Sequence, residues 1–405
     1  MTKYDHKIKK LISLEQKRQQ SYITLIASEN YVSKDVLEAQ GSVLTNKYVE
    51  GYPHFRYYHG CEIMDQLENL AIDLAKKVFG AEHVNVQPHS GSQANEAVYQ
   101  ALLTPGDKIL AMALSSGGHL THGHEKNFSG KLYDFYHYTV DKKSEMINYD
   151  DLLIQAVKIK PKLLLAGASS YSRIINFKQM KKIANKVGAL LMVDMAHIAG
   201  LVAAKVHPSP IPYADVVTTT THKTLRGARG GVILCKKNWK DKIDAAVFPG
   251  TQGGALMGAI AGKAFTFAEA LTKKYQEYQL AVVKNSKIFA KSFVKGRIIS
   301  GGTDNHQFSL DVYGSYGISG NKAADLLEQA HVIANRNVIP FDPLPITQCS
   351  GIRLGTPACV TRGFQSEDFR VLGSLIEQVL IYKGKEKYSQ ALKSWVRKIC
   401  EKYPI

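Results

Sequence analysis

The rhythm of apolar runs between residues 84 and 235 constrains this chain more than any other feature. Runs such as Ile109-Leu-Ala-Met112, Leu163-Leu-Leu-Ala166 and Ala189-Leu-Leu-Met-Val193 are apolar on both alternating faces. A strand of that kind is buried on both sides, so the amphipathic stretches between the runs are expected to be the helices that cover it. Strands are predicted at 84–87, 108–113, 163–167, 190–194, 216–221 and 231–235, with helices at 95–103, 149–159 and 178–187. The expected fold class is α/β, a mostly parallel mixed sheet with helices on its faces.

Beyond the glycine-rich segment 249–254 the character changes. Residues 256–293 have apolar positions at helical spacing and are expected to form one long helix. A smaller α/β unit follows, with strands around 307–312 and 352–355 and helices at 322–331, 367–382 and 386–402. A chain of 405 residues exceeds what one hydrophobic core usually serves. We expect an N-terminal arm and large domain over 1–270 and a small C-terminal domain over 271–405.

Hydrophobic residues make up 45% and charged residues 21% of the chain. That is ordinary globular usage and excludes a disordered, collagen-like or coiled-coil protein. No apolar run is long enough to span a bilayer, and the charged start lacks the apolar stretch and cleavage site of a secretion signal, so a cytoplasmic protein is expected. Cys61, Cys235, Cys349, Cys359 and Cys400 lack CxxC spacing, which suggests neither a zinc site nor a disulfide framework; no metal is expected. The net charge of +17 raises the question of an anionic partner. The lysines are spread over stretches that read as solvated helix faces, and no nucleic-acid-binding module accompanies them, so nucleic acid is not an expected partner.

Candidate chemistry begins at Thr218-Thr-Thr-Thr-His-Lys223, at the end of a β-rich run. A lysine fixed at a strand end and partly desolvated is suited to a Schiff base with an aldehyde cofactor. Taken alone, such a lysine is most often a surface group. Asp194 ends the apolar run 189–193, where open α/β sheets bind ligands, and a pyridoxal ring needs a carboxylate at its pyridine nitrogen. The turn Pro88-His-Ser-Gly-Ser-Gln-Ala-Asn95 lies between a strand and a helix and is suited to phosphate, although Ser-Gly before a helix is also an ordinary cap. His119 in Gly117-Gly-His-Leu120 is a candidate to stack on a cofactor face, although a lone histidine more often sits in a satisfied hydrogen bond.

These segments, with Leu25-Ile-Ala-Ser-Glu-Asn-Tyr31, Asn46-Lys-Tyr-Val-Glu-Gly-Tyr-Pro53, Arg56-Tyr-Tyr58, Val193-Asp-Met-Ala-His-Ile-Ala-Gly200, Phe248-Pro-Gly250 and Ser350-Gly-Ile-Arg-Leu-Gly-Thr-Pro357, resemble the serine hydroxymethyltransferases. The resemblance covers nearly the whole chain in the family's order. It implies an aspartate-aminotransferase-like fold, pyridoxal 5'-phosphate bound through Lys223, and serine–glycine interconversion with tetrahydrofolate as co-substrate.

By that resemblance Asp194 pairs with the ring nitrogen and His119 stacks on the ring. Ser90, Gly91 and Ser92, with Gly254 from another subunit, form the phosphate site. Tyr48, Ser169, His197 and His222 contact cofactor or substrate, and Thr220, His222 and Tyr58 join the catalytic group. Arg353 clamps the amino-acid carboxylate, with Ser28 beside the substrate. Glu50 is the acid-base group at the serine hydroxyl. In the family its segment reaches across a dimer interface, which implies a homodimer or larger assembly with shared sites. Leu114, Gly118, His119, Leu120, Tyr57 and Asn337 match folate-contacting positions.

Several positions depart from the family's pattern. His54-Phe55 stands where Gly-Lys is usual, His59 replaces a glycine, and Ser115-Ser116 replaces Ala-His. Ala255 and Gly258 replace a proline and a histidine, and Pro345-Ile-Thr347 replaces Ser-Pro-Phe. These changes leave open a folate-independent β-hydroxy-amino-acid aldolase or an α-methylserine-type enzyme. An inactive RNA-binding homologue is a further alternative, against which the joint presence of Lys223, Asp194, His119 and Arg353 speaks.

Overall fold

The protein is described by a computed structural model over residues 2–405. It comprises two compact units. The larger is Val32–Leu280, and the smaller joins the N-terminal segment through Tyr31 to Ala281–Ile405.

The larger unit is built on a seven-stranded sheet in the order His83–Asn85, Gly231–Cys235, Val216–Thr220, Leu190–Asp194, Leu163–Ala166, Lys108–Met112, Asp134–Tyr138. The last five of these run parallel to one another, and Gly231–Cys235 is antiparallel to both of its neighbours. The expected α/β class with a mostly parallel mixed sheet is what forms. Strands 163–166 and 216–220 are buried at every position, the first as a run apolar on both faces requires. Thr218, Thr219 and Thr220 are admitted there because each hydroxyl finds an acceptor: Oδ1 of Asn95, the Thr220 carbonyl and the Ala196 carbonyl.

Asp134–Tyr138 was not anticipated. It is an edge strand with three of its five residues exposed, so it lacks the apolar signature of its neighbours. The single helix expected over 256–293 is two, Met257–Ala270 and Lys273–Lys291. The break falls where the Thr272 hydroxyl accepts from the Tyr275 N–H, a cap that competes with helical pairing.

The smaller unit carries a four-stranded antiparallel sheet in the order Arg297–Ile298, Gln307–Asp311, Gly351–Gly355, Asn335–Asn337. Ile23–Thr24 pairs in parallel with Val332–Ile333. The compact units divide at Tyr31 and Leu280, where the sequence leads to an expected boundary at 270. The N-terminal segment belongs with the C-terminal residues, because its buried Ile23 and Leu25 complete their core, and the chain leaves the larger unit at Leu280. Among the described residues no helix is long and apolar enough to cross a membrane.

Candidate active site

The carboxylate of Asp194 closes its strand, with the side chain only 12% exposed. One oxygen, Oδ2, accepts from Asn95 Nδ2 at 3.0 Å and from His122 Nε2 at 3.2 Å. The other accepts from the Ala196 N–H at 3.0 Å. Burial alone raises the pKa of this carboxyl. The hydrogen bond from His122, with His119 and Lys223 nearby, outweighs it and holds the group well below the usual carboxylate range.

The hydrogen bonds define the histidine tautomers. His122 Nδ1 accepts from the His119 N–H at 3.3 Å, so Nε2 bears the proton given to Asp194. His119 Nδ1 accepts from the Thr121 N–H at 3.2 Å and lies 2.8 Å from the Thr121 hydroxyl, which in turn accepts from Asn95. Asn95 therefore ties Asp194, Thr121 and Thr218 together. Gly117 and Gly118 let this loop approach its neighbours. A Cβ on Gly118 would lie 2.2 Å from the Met112 carbonyl, and the Gly117 carbonyl accepts from the Ser169 N–H at 2.7 Å.

Lys223 lies just beyond the neighbouring strand, in a loop closed by Gly227 N to the Thr221 carbonyl and Arg226 N to its own carbonyl. Its charge is felt at both Asp194 and His222. His222 Nδ1 is buried without a hydrogen-bond partner, and burial, aided by Arg229, Lys223 and Lys263, pushes this imidazole down to about 3. His197, 5% exposed, accepts at its carbonyl from the Thr224 hydroxyl at 2.8 Å, which docks the lysine loop on the segment after Asp194.

The turn before helix Gly91–Leu102 abuts the lysine strand. Ser90 caps the helix, its hydroxyl accepting from the Gln93 N–H at 3.1 Å. A Cβ on Gly91 would lie 2.6 Å from Thr220 Cγ2, and one on Gly231 would lie 2.3 Å from the Ser90 carbonyl. The exposed Ser92 stands in the first turn of the helix, where amide donors are directed outward.

Tyr48, Glu50, Tyr58 and Gly254 form a second group. The Tyr48 and Tyr58 rings lie 5.1 Å apart, the Glu50 carboxylate raises the Tyr48 phenol pKa by its charge and hydrogen bond, and Gly253 and Gly254 pack on Glu50 and Tyr48. Tyr48 is 55% exposed, Tyr57 74% and Phe55 81%. In the smaller unit Arg353 Nη2 donates to Asn335 Oδ1 at 3.1 Å, and burial lowers its pKa to about 10. Asn337 pairs with Gly351 of the same strand pair, and Ser28 follows the Leu25 carbonyl that accepts from the Gly355 N–H.

The chain matches the family model described as serine hydroxymethyltransferase over residues 1–376. It is 55% identical over 406 aligned residues to the serine hydroxymethyltransferases of Mycoplasma capricolum subsp. capricolum and Mycoplasma mycoides subsp. mycoides SC, covering 100% of this chain and 98% of each relative. The chain belongs to the serine hydroxymethyltransferase family.

Serine hydroxymethyltransferases are pyridoxal-phosphate transferases of the fold described above. The residues present fit that cofactor. A nearly buried carboxylate, the partnerless buried Nδ1 of His222 and a capped helix start walled by glycines all stand at one end of the sheet. His122 and Asn95, which the sequence reading left without roles, are as closely tied to Asp194 as any residue in it. Asn95 closes the stretch 88–95 and His122 lies two residues beyond Gly117-Gly-His-Leu120, but a hydrogen bond between residues 72 or 99 positions apart is not written in either stretch.

Some departures from the family pattern have a local cause. A Cβ on Gly258 would meet the Ala39 and Gln40 carbonyls at 3.1 Å, leaving no room for a histidine without movement. Ser116 is buried and accepts at its hydroxyl from the Val140 N–H at 3.4 Å. Leu114 and Leu120, on either side of the glycine pair, remain 37% and 49% exposed.

Proposed function

We propose that this chain interconverts serine and glycine, with pyridoxal 5'-phosphate as cofactor and tetrahydrofolate as carrier of the one-carbon unit. The observation that carries this is full-length identity of 55% to serine hydroxymethyltransferases together with the buried Asp194 and the adjacent lysine loop. When bound, the cofactor supplies an electron sink for the bonds at the amino acid's Cα.

Lys223 is the amine that holds the cofactor aldehyde. Asp194, kept ionised by His122, would keep a proton on the pyridine nitrogen, and His119 would stack on the ring. Ser90, Gly91 and Ser92 direct amide and hydroxyl donors at the phosphate. His197, Ser169, Thr220 and the neutral His222 orient cofactor and amino acid. Arg353, with Ser28 beside the substrate, takes the amino-acid carboxylate in a charge-assisted pair. Glu50 moves the proton of the serine hydroxyl, and the Tyr48 phenol, hydrogen-bonded to Glu50, orients that carboxylate. Leu114, Gly118, Leu120, Tyr57 and Asn337 contact the folate.

The assembly is a homodimer whose subunits share sites, and its compartment is the cytoplasm. Exposed Phe55, Tyr57 and Tyr48 support a covering partner, and five buried free thiols support a reducing compartment. Mixing Lys223→Ala and Glu50→Ala proteins after subunit exchange should restore about a quarter of the sites if each needs both subunits; no recovery refutes sharing.

The reaction is tested by serine cleavage with and without tetrahydrofolate. Strong acceleration by tetrahydrofolate is expected. An unchanged rate at saturating folate would sink the carrier role and favour the folate-independent aldolase, the reading to which His54, Ser115 and Pro345 give support.

A further inference from the structure

Lys263 is 1% exposed, yet no carboxylate is hydrogen-bonded to it. Its three protons go to backbone carbonyls: Val86 at 2.6 Å, Gly231 at 2.9 Å and Pro88 at 3.0 Å. Strand His83–Asn85 ends at the register pair Asn85–Ile233, so the Val86 and Gln87 carbonyls leave the ladder just before the phosphate turn, while the Pro88 carbonyl also accepts from the Gly231 N–H at 2.9 Å. Pro88 offers no N–H with which to extend it. The Gln87 carbonyl left between them accepts from Gln252 Nε2 at 3.1 Å, and Gln252 Oε1 accepts from the His89 N–H at 2.9 Å. Two side chains thus fix four consecutive residues, 86 to 89, and the next residue is the helix cap Ser90.

The same ammonium reaches across to the lysine loop. Gly231 follows that loop, and a Cβ on Gly230 would lie 2.4 Å from Lys263 Cε, so the lysine stem fills the space the glycine leaves. Burial pushes the Lys263 pKa down to about 7 while the Glu68 carboxylate opposes it. A buried ammonium of this kind is retained at a cost in stability, which is unnecessary if its task is only to fill volume.

We propose that Lys263, seconded by Gln252, is a positioning residue that sets the width and orientation of the phosphate cradle formed by residues 90–92. The proposal rests on the pyridoxal-phosphate reading above and adds to it a part of the site that never touches the cofactor. It acts by holding the Val86–Pro88 backbone against Gly231, so that the first amides of helix Gly91–Leu102 keep their aim.

The test uses the full-length protein stripped of cofactor, titrated with pyridoxal 5'-phosphate and separately with pyridoxal, which lacks the phosphate. Binding is read by the absorbance of the bound ring and folding by circular dichroism. Lys263→Met should lower affinity for pyridoxal 5'-phosphate by about tenfold, the effect of losing one well-made hydrogen-bond arrangement, and change pyridoxal affinity by less than about twofold. Equal losses for both ligands, or no loss for either, overturn the proposal. If Lys263→Met does not fold, Gln252→Ala decides: a selective loss of phosphate affinity supports the proposal and an unchanged ratio overturns it. Failure of the unmodified protein to bind pyridoxal 5'-phosphate refutes the functional reading instead, which keeps the two failures distinct.

Discussion

His122 and Asn95 converge on one oxygen of Asp194, from 3.2 Å and 3.0 Å, while the Ala196 N–H takes the other. Asn95 is the more connected of the two, because its amide also receives the Thr218 hydroxyl and donates to Thr121. Asn95→Ala strands buried polar groups on three elements at once. It should lower the unfolding free energy of the cofactor-free protein by about 1–3 kcal/mol, measured by denaturant unfolding. A loss within experimental error would mean that water replaces the amide at little cost.

Arg56 and Glu68 form a second buried relationship, with side chains 3% and 1% exposed and a 2.6 Å contact. Arg56 also holds Asp65 and the Val49 and Gly51 carbonyls. Arg56→Ala leaves a buried carboxyl without its counter-charge and should cost about 3–5 kcal/mol. Adding Glu68→Ala should recover part of that loss. A double variant no more stable than the single one would show that the arginine works through the loop carbonyls alone.

Acid sensitivity has a specific source in His222, lowered to about 3 by burial and neighbouring cations. An unfolded histidine takes up its proton near pH 6.5. Between those values the unfolded chain binds a proton that the native site refuses, so stability falls as pH falls. His222→Asn should flatten the pH dependence of unfolding free energy in that window. Parallel slopes for the two proteins would refute a neutral buried imidazole.

The tight turn Tyr52-Pro-His-Phe55 places His54 at a φ of 68°. A side chain is strained there and glycine is not. His54→Gly should be neutral or stabilising by up to about 1 kcal/mol, since the imidazole is mostly exposed, and His54→Val should be destabilising. Thermal midpoints in the order glycine, histidine, valine are expected; valine equal to glycine would contradict the backbone argument.

The sheet was legible because its buried strands are apolar at both parities, as at Leu163–Ala166 and Leu190–Asp194. Asp134–Tyr138 was not, because an edge strand is selected by its one neighbour rather than by burial. Asp194 and Lys223 could be picked out by their position at strand ends. His122, Asn95, Gln252 and Lys263 could not, because their importance lies in the particular atom each one meets from a distant part of the chain. A lysine in the run Gly262-Lys-Ala264 reads as a solvated helix position until the carbonyls of residues 86, 88 and 231 are seen around it.

The pairing of Ile23–Thr24 with Val332–Ile333 orders events during synthesis. On the ribosome Ile23 and Thr24 emerge more than three hundred residues ahead of Val332 and Ile333, whereas Val32–Leu280 contains every strand of its own sheet. The larger unit is therefore able to fold while translation continues, and residues 23–24 wait for residues 332–333. A nascent chain halted after Leu280 should be compact and protease-resistant over its central part while its earliest residues remain open to cleavage.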